Sequence, residues 1–516
     1  MTGSIELSLF ASRVSAICEE MGALLGRVAF SPNIRDRLDY SCALFDANGH
    51  LLGQATHIPV HLGSMAYAMG DLVSEFQWRP GDMVIVNDPF RGGTHLPDVT
   101  FVSPVFESEQ LIGFCANRAH HADIGSEAPG SMPVSTRLEQ EGIIIAPTLV
   151  IAAGETDQAF FASLYKKLQD PDLAQGDFKA QIAANLLGRK RFKALAAQMG
   201  MAALELSCEA LQNYGQRLAQ ASLAGIPRGQ YHFTDLLDDD GLGTVDIPVC
   251  VLIDIDKDGV RVDFEGTAGQ VAGNLNCPLP VTAAAVFYVF RCLMPKQVPA
   301  CDGAMRAIRI VAPEACLVNA RSPAAVAAGN VETSMRIVDA MCGALAQALP
   351  GRIPAASQGS MNNLAMGARG RNSWDYYETL AGGLGAGPDC DGLSARHSHM
   401  TNTLNTPVEV LERHYPLRIL RYARKRNSGG RGQFVGGDGI LRDYLFLADA
   451  ELSLLSERRV HAPWGLEGGE SGLPGKNMLD GEALGGKCQM RVRAGQILSI
   501  ETPGGGGYGR VTKADP

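Results

Sequence analysis

The sequence predicts an α+β protein, a multidomain mixed α/β chain with a metal-bearing N-terminal region and a β-rich C-terminal region. Three observations carry this. The chain has 516 residues, 46% of them hydrophobic, enough to bury a core of several domains. Helical and alternating apolar periods follow one another along it. Its 59 glycines crowd into loops between short strands near the C-terminus. Charge narrows the function classes. With 45 Lys+Arg against 55 Asp+Glu the formal net charge is −10, which offers no basic field to a phosphate backbone, so nucleic acid is not an expected partner.

The elements follow in order. Leu9, Val14, Ile17, Met21 and Leu24 recur at helical spacing, predicting a helix over 5–27. Strands are expected at 40–45 and 51–54, joined by the turn Asp46-Ala47-Asn48-Gly49, and at 83–86, 99–106 and 111–116 between glycine and proline punctuation. Residues 180–223 read as one long helical pattern that stops at Gly225-Ile226-Pro227, the end of an expected N-terminal region, 1–226. The middle region, 227–350, opens with a hairpin, 247–256 and 260–264 around Asp256-Lys257-Asp258-Gly259, and adds helices at 281–293 and 331–348. The last region, 351–516, is expected to be glycine-punctuated short strands.

The compartment follows from weaker signals. Twelve scattered cysteines without a C-x-x-C pair read as reduced thiols. Residues 1–6 lack the basic and apolar parts of a signal peptide, with Glu6 where the apolar run would begin. The apolar stretches 143–153 and 281–294 are shorter than a bilayer span, and Arg291 interrupts the second. A soluble, cytoplasmic protein is expected, with no membrane partner.

Chemistry concentrates in Asn87-Asp88-Pro89-Phe90-Arg91-Gly92-Gly93-Thr94-His95-Leu96-Pro97-Asp98 and in Arg118-Ala119-His120-His121-Ala122-Asp123. If 99–106 and 111–118 form a hairpin closed by Glu107-Ser108-Glu109-Gln110, residue i faces residue 217−i. Asp98 then lies across from Ala119, and His95, Asp98 and His120 converge at the open end, where opposed Cβ atoms sit about 4.5–5.5 Å apart. Two imidazoles and a carboxylate make an open divalent-metal site. The same residues also suit a plain reading as hydrogen-bonded loop side chains, and Pro97 keeps His95 and Asp98 off a regular helix face. Asp39 heads a strand and is either a fourth ligand or a cap. His57 and His61 sit among apolar residues and read as buried, hydrogen-bonded histidines.

Two phosphate-loop look-alikes are set aside. Gly481-Glu482-Ala483-Leu484-Gly485-Gly486-Lys487-Cys488 places a cysteine where a magnesium-binding hydroxyl is needed and lacks a following helix. Gly382-Gly383-Leu384-Gly385-Ala386-Gly387 has Pro388 at the position of the last fingerprint glycine. No G-x-S-x-G elbow is present.

Six segments together resemble the hydantoinase B family: 87–98, Arg118–Gly125 with Pro129-Gly130-Ser131-Met132, Gly273-Asn274-Leu275-Asn276-Cys277-Pro278, Asn402-Thr403-Leu404-Asn405-Thr406-Pro407, Ser428-Gly429-Gly430, and Thr502-Pro503 followed by four glycines. That family includes N-methylhydantoinase and caprolactamase β subunits, the matching half of 5-oxoprolinase, and acetone carboxylase α subunits. The resemblance implies one subunit of a hetero-oligomer. Its hydantoinase A-type partner would bind ATP and magnesium and activate a cyclic amide, and this chain would hold a divalent metal, zinc or manganese. It places the metal ligands at His95, Asp98, His120 and Asp39, with His121 and Asp123 as catalytic proton-transfer or ligand-orienting groups. Metal-bound water would then open the activated carbonyl. The other readings are a ketone carboxylase subunit and a non-catalytic scaffold for the A-type subunit. One departure is visible: Phe434-Val435-Gly436-Gly437 lacks the arginine that many relatives carry before the glycine pair, with Arg431 nearby.

Overall fold

A computed structural model describes residues 4–55, 57–370 and 373–511. Helix α1 (Ser4–Val28) buries Phe10, Val14, Ile17, Met21 and Leu25, one stripe at three- and four-residue steps. After the short α2 (Pro32–Arg35), β1 (Tyr40–Asp46) and β2 (Leu51–Gln54) form the expected hairpin. Its turn is fixed by Gly49 at φ 81° and by Asp46 Oδ1, which accepts from the backbone N–H groups of Asn48 and His50. Helix α3 (Pro59–Ser74) then leads to β3 (Met83–Val86), β4 (Asp98–Glu107), β5 (Gln110–His120), β6 (Thr148–Ala152) and β7 (Glu155–Thr156). The sheet is antiparallel, in the order β2-β1-β5-β4-β3-β6-β7. Helix α4 (Gln158–Tyr165) precedes the long helices that cover it.

The helical pattern of 180–223 falls on two helices, α5 (Pro171–Met199) and α6 (Met201–Leu223), separated by Gly200, whose φ of 81° breaks the helical path. One expectation is corrected. The register of β4 and β5 follows 217−i only beside the turn, at Phe106↔Leu111 and Glu107↔Gln110. A β-bulge after Val105 leaves Ile112 without an opposite number and changes the pairing to 218−i, so Asp98 faces His120 and Val99 faces Ala119. One extra residue in β5 thus puts a carboxylate directly across from an imidazole.

A second sheet contains β8 (Gly229–Asp239), β9 (Val245–Ile255), β10 (Val260–Asp263) and β11 (Ile308–Val311), in the order β11-β10-β9-β8. The β9–β10 hairpin is the predicted one. β8 was not foreseen, because its polar, mostly half-exposed sequence lacks an apolar run. The inner face of β9 (Val249, Val251, Ile253) packs in one core with Val286 and Val289 of α7 (Leu279–Leu293) and Ile337, Val338 and Met341 of α8 (Ser334–Ala348). A π-helical turn, 329–333, precedes α8.

Beyond Pro350 two further sheets bear out the β-rich reading: β12 (Asn363–Ala368) and β13 (Trp374–Glu378) pair with β16 (Ala450–Leu455) and β19 (Lys487–Val492), and after α9 (Val408–His414) come β14 (Leu417–Arg424), β15 (Ile440–Phe446), β17 (Lys476–Leu479), β18 (Glu482–Leu484) and β20 (Ile497–Glu501). Residues 482–484 of the first phosphate-loop look-alike are a strand. All twelve cysteines are free thiols, most of them buried. Among the described residues no helix is long and apolar enough to cross a membrane.

The glycine loops of the C-terminal part serve close backbone approach. None of the glycines in 382–387, 429–439 and 504–507 has positive φ. They lie where chains meet backbone to backbone: a Cβ at Gly505 would collide with the Leu384 carbonyl, one at Gly383 with that of Gly437, and one at Gly436 with that of Gly505. The segments bond to one another, with N···O distances of 3.0 Å for Gly383 to Pro503, 2.8 Å for Gly437 to Leu384, 2.9 Å for Gly505 to Gly437 and 2.8 Å for Gly430 to Gly505. They form an interior stack.

Candidate metal centre

The loop from Asn87 to Pro97 is locked before any ligand is considered. Asn87 donates through Nδ2 to the carbonyls of Leu96 (2.8 Å) and Ile143 (2.9 Å) and accepts from Ile145 N. Gly92 takes φ 104°, a conformation open to glycine, and its carbonyl accepts from the buried guanidinium of Arg118. This delivers His95 to the mouth of the β4–β5 hairpin, where Asp98 and His120 already face each other.

His95, Asp98 and His120 are buried, and one ligand atom from each lies within 4.8 Å of the others. His95 Nδ1 lies 3.4 Å from the Ala327 carbonyl, to which only a protonated Nδ1 donates, so the lone pair sits on Nε2. His120 stacks on Tyr377, with centroids 4.5 Å apart and planes 4° off parallel, and Asn33 Nδ2 lies 3.3 Å from its Nδ1. His95 Nε2, His120 Nε2 and Asp98 Oδ1 have no hydrogen-bond partner, although His95 Nε2 and Asp98 Oδ1 are 3.3 Å apart. An unpaired buried polar atom costs about 1–3 kcal/mol. Three that converge fit a cation held by two imidazole nitrogens and a carboxylate oxygen.

His95 and His120 line a cavity of about 20 Å³, room for one ion or one water. Asp39, His61, Asn330, Met361, Tyr377 and Met400 are among its other lining residues. Electrostatics follow burial and charge together. Burial works against ionised Asp98, but His61 and His95 outweigh it and hold the carboxyl well below its usual range. Burial, helped by His95, Arg37 and His61, keeps the His120 imidazole well below its usual value, so the ring is neutral. For His95 burial is outweighed by Asp98, and its pKa is raised. Burial raises Asp39 against the pull of Arg37 and His61.

The structure brings together three of the six expected site residues and separates the others by degrees. Asp39 lines the same cavity, with Oδ1 3.9 Å from His61 Nε2 and Oδ2 3.8 Å from Arg37. His121 turns to the other side of the strand, 2.9 Å from Gln181 Oε1 and stacked on Phe178. Asp123 accepts from the backbone N–H groups of Gly125, Gln169 and Asp170. Neither lines the cavity. Residues that sequence reasoning missed supply much of the wall: Thr94 and Asn330 donate to Asp98 Oδ2 at 2.6 and 3.4 Å. Tyr377 donates through its OH to Asn363. His61 is buried and hydrogen-bonded as expected, but its partner is Asp98 at 3.2 Å. Only the spacing of His57 and His61 around Pro59 hinted at more.

The profile of the Hydantoinase B/oxoprolinase family matches residues 3–511. The chain belongs to the hydantoinase B/oxoprolinase family. Its relatives include an uncharacterized protein of Methanocaldococcus jannaschii, 40% identical over 99% of this chain and 91% of that protein. The 5-oxoprolinase of Saccharomyces cerevisiae is 37% identical over 98% of this chain but only 42% of its own length. The B-type component of a putative D-/L-hydantoinase from a Pseudomonas species is 32% identical over 97% of this chain and 89% of its own. Among solved structures, the ATP-dependent caprolactamase of Pseudomonas jessenii matches with TM-score 0.92 at 26% identity, over 98% of this chain and 91% of that one. Nucleotide-free acetone carboxylase matches with TM-score 0.87 at 19% identity, over 98% and 75%, a likeness of fold. Against 5-oxoprolinases this family member spans about two fifths of the relative's length.

Proposed function

We propose that this chain is the B-type subunit of an ATP-dependent cyclic-amide hydrolase, of the hydantoinase, oxoprolinase or lactamase kind. A hydantoinase A-type partner would bind ATP and magnesium and activate the ring carbonyl. The observation that carries the reading is the buried set His95 Nε2, Asp98 Oδ1 and His120 Nε2, unpartnered and convergent, in a chain 37% identical to a 5-oxoprolinase. These three, with Asp39 on the same cavity wall, would hold a zinc or manganese ion. Such an ion acidifies water and polarises a carbonyl. The protein's own part is orientation and exclusion. Ala327 fixes the His95 tautomer, Tyr377 clamps the plane of His120, and Met361 and Met400 keep bulk water out. Proton transfer by His121 and Asp123 is the weakest part of the proposal, since both lie just past the end of β5 and their side chains are held by structural partners.

The test is reconstitution. The chain, co-purified with its A-type subunit, should release phosphate from ATP with 5-oxoproline, hydantoin or caprolactam and lose that turnover in His95→Ala. Turnover only with a ketone and bicarbonate would replace hydrolysis with carboxylation. Full turnover in His95→Ala and His120→Ala would refute the metal assignment and favour a scaffold.

A further inference from the structure

The two oxygens of Asp98 are unlike. Oδ2 is within reach of three donors: Thr94 Oγ1 at 2.6 Å, His61 Nε2 at 3.2 Å and Asn330 Nδ2 at 3.4 Å. Oδ1 has no hydrogen-bond partner and is the oxygen 3.3 Å from His95 Nε2. The carboxylate is therefore turned by the donors gathered on one oxygen, which leaves the other bare toward His95 Nε2.

Of the three donors, His61 is the one whose direction is set by a further contact. Asp98 Oδ2 only accepts, so the nitrogen that faces it, His61 Nε2, carries a proton, and Ser41 Oγ, which accepts from Ile58 N–H at 3.2 Å, gives its hydroxyl proton to His61 Nδ1, 3.4 Å away. An imidazole that accepts at Nδ1 carries its proton on Nε2. Asp39 Oδ1, at 3.9 Å from the same nitrogen, is beyond hydrogen-bond reach. His61 lies in the first turn of α3, which Pro59 opens, and Gly63 seats that helix so closely on α7 that a Cβ would meet Ala284. Its place is thus set by helix packing and does not depend on an ion.

We propose that Ser41 and His61 form a positioning relay: Ser41 fixes the tautomer of His61, whose Nε2–H turns Asp98 so that Oδ1 faces a divalent cation, and His61 is not itself a ligand. This rests on the metal reading above. Outer partners of this kind are worth about 10–100-fold in metal affinity.

The test titrates the metal-stripped full chain with Co²⁺ and follows its visible absorption, in wild type, Ser41→Ala, His61→Ala and His61→Gln. His61→Ala should bind one Co²⁺ about 10–100-fold more weakly, with the wild-type band positions kept, because no ligand is lost. His61→Gln, whose amide keeps a donor near Asp98, should recover most of the affinity. Ser41→Ala, which leaves the imidazole in place, should weaken binding by less, with the wild-type band positions kept, and should lower the melting temperature of the stripped chain, because Ile58 N–H loses its acceptor. Unchanged affinity in both His61→Ala and Ser41→Ala overturns the relay. A band shift in His61→Ala makes His61 a ligand and overturns it too. A wild type that binds no Co²⁺ overturns the metal reading itself and the relay with it.

Discussion

The mouth of the β4–β5 hairpin and the glycine stack of the C-terminal part are both deeply buried, yet they treat polar atoms in opposite ways. In the stack the peptide groups of 383, 430, 437 and 505 bond to neighbouring segments, and the space a side chain would need is filled by carbonyls. At the hairpin mouth three side-chain atoms are buried without partners, two of them on histidines that line a cavity of about 20 Å³. The first is a finished interior. The second gives up stability that a bound cation can return, which is how binding energy is tied to one place in a fold.

The comparison breaks most sharply if ligand removal proves harmless. His95→Ala combined with His120→Ala is expected to weaken divalent-metal binding by more than about 1,000-fold, beyond the effect of outer partners, as read by metal content after dialysis. The melting temperature of the metal-free double variant should stay near that of metal-free wild type, because unpaired polar atoms leave with the side chains. Gly505→Ala should do the reverse. Its methyl meets the Leu384 carbonyl, and overpacking against backbone costs about 2–3 kcal/mol, visible as a lower urea midpoint, while any Gly505→Ala protein that folds keeps its metal.

Acid sharpens the contrast. Burial holds His120 well below the usual histidine value near 6.5, so the folded chain keeps it neutral while the unfolded chain takes up a proton. The His120 share of metal-free stability should therefore be constant above about pH 7 and fall as pH drops below about 6.5, by up to about 1.4 kcal/mol per pH unit for this group. His397 and His399, buried and held down to about 4, add to the slope. In His120→Ala the slope measured by denaturant titration at several pH values should be shallower by one such share. The smallest effect is expected at His121. His121→Asn removes a hydrogen bond to Gln181 and a stacking contact, about 1 kcal/mol of stability, and should leave metal affinity within about twofold by competition titration.

Much of the site was legible because it is local. His95, Asp98 and His120 stand at the ends of strands whose alternation and turn are written in the sequence, and pairing brings such ends together whatever else happens. The pairing itself was off by one, since the bulge at Val105 leaves no mark in composition. His61, Asn330 and Tyr377 were illegible as wall residues for a different reason. They reach the cavity from a helix packed on α7, from the turn before α8 and from β13, contacts made at sequence separations that no short pattern records.

By itself, then, the sequence determined the class of fold, its family and the three residues that face one another at the hairpin mouth, because periodicity and strand ends are properties of neighbours along the chain. Only the tertiary structure decided which oxygen of Asp98 is bare, that His121 and Asp123 turn away, and that the glycines of 382–387, 429–439 and 504–507 serve close packing instead of positive φ. Those outcomes depend on which distant groups arrive within about 3 Å, the range of a hydrogen bond, and distant groups are brought there by the packing of the whole chain.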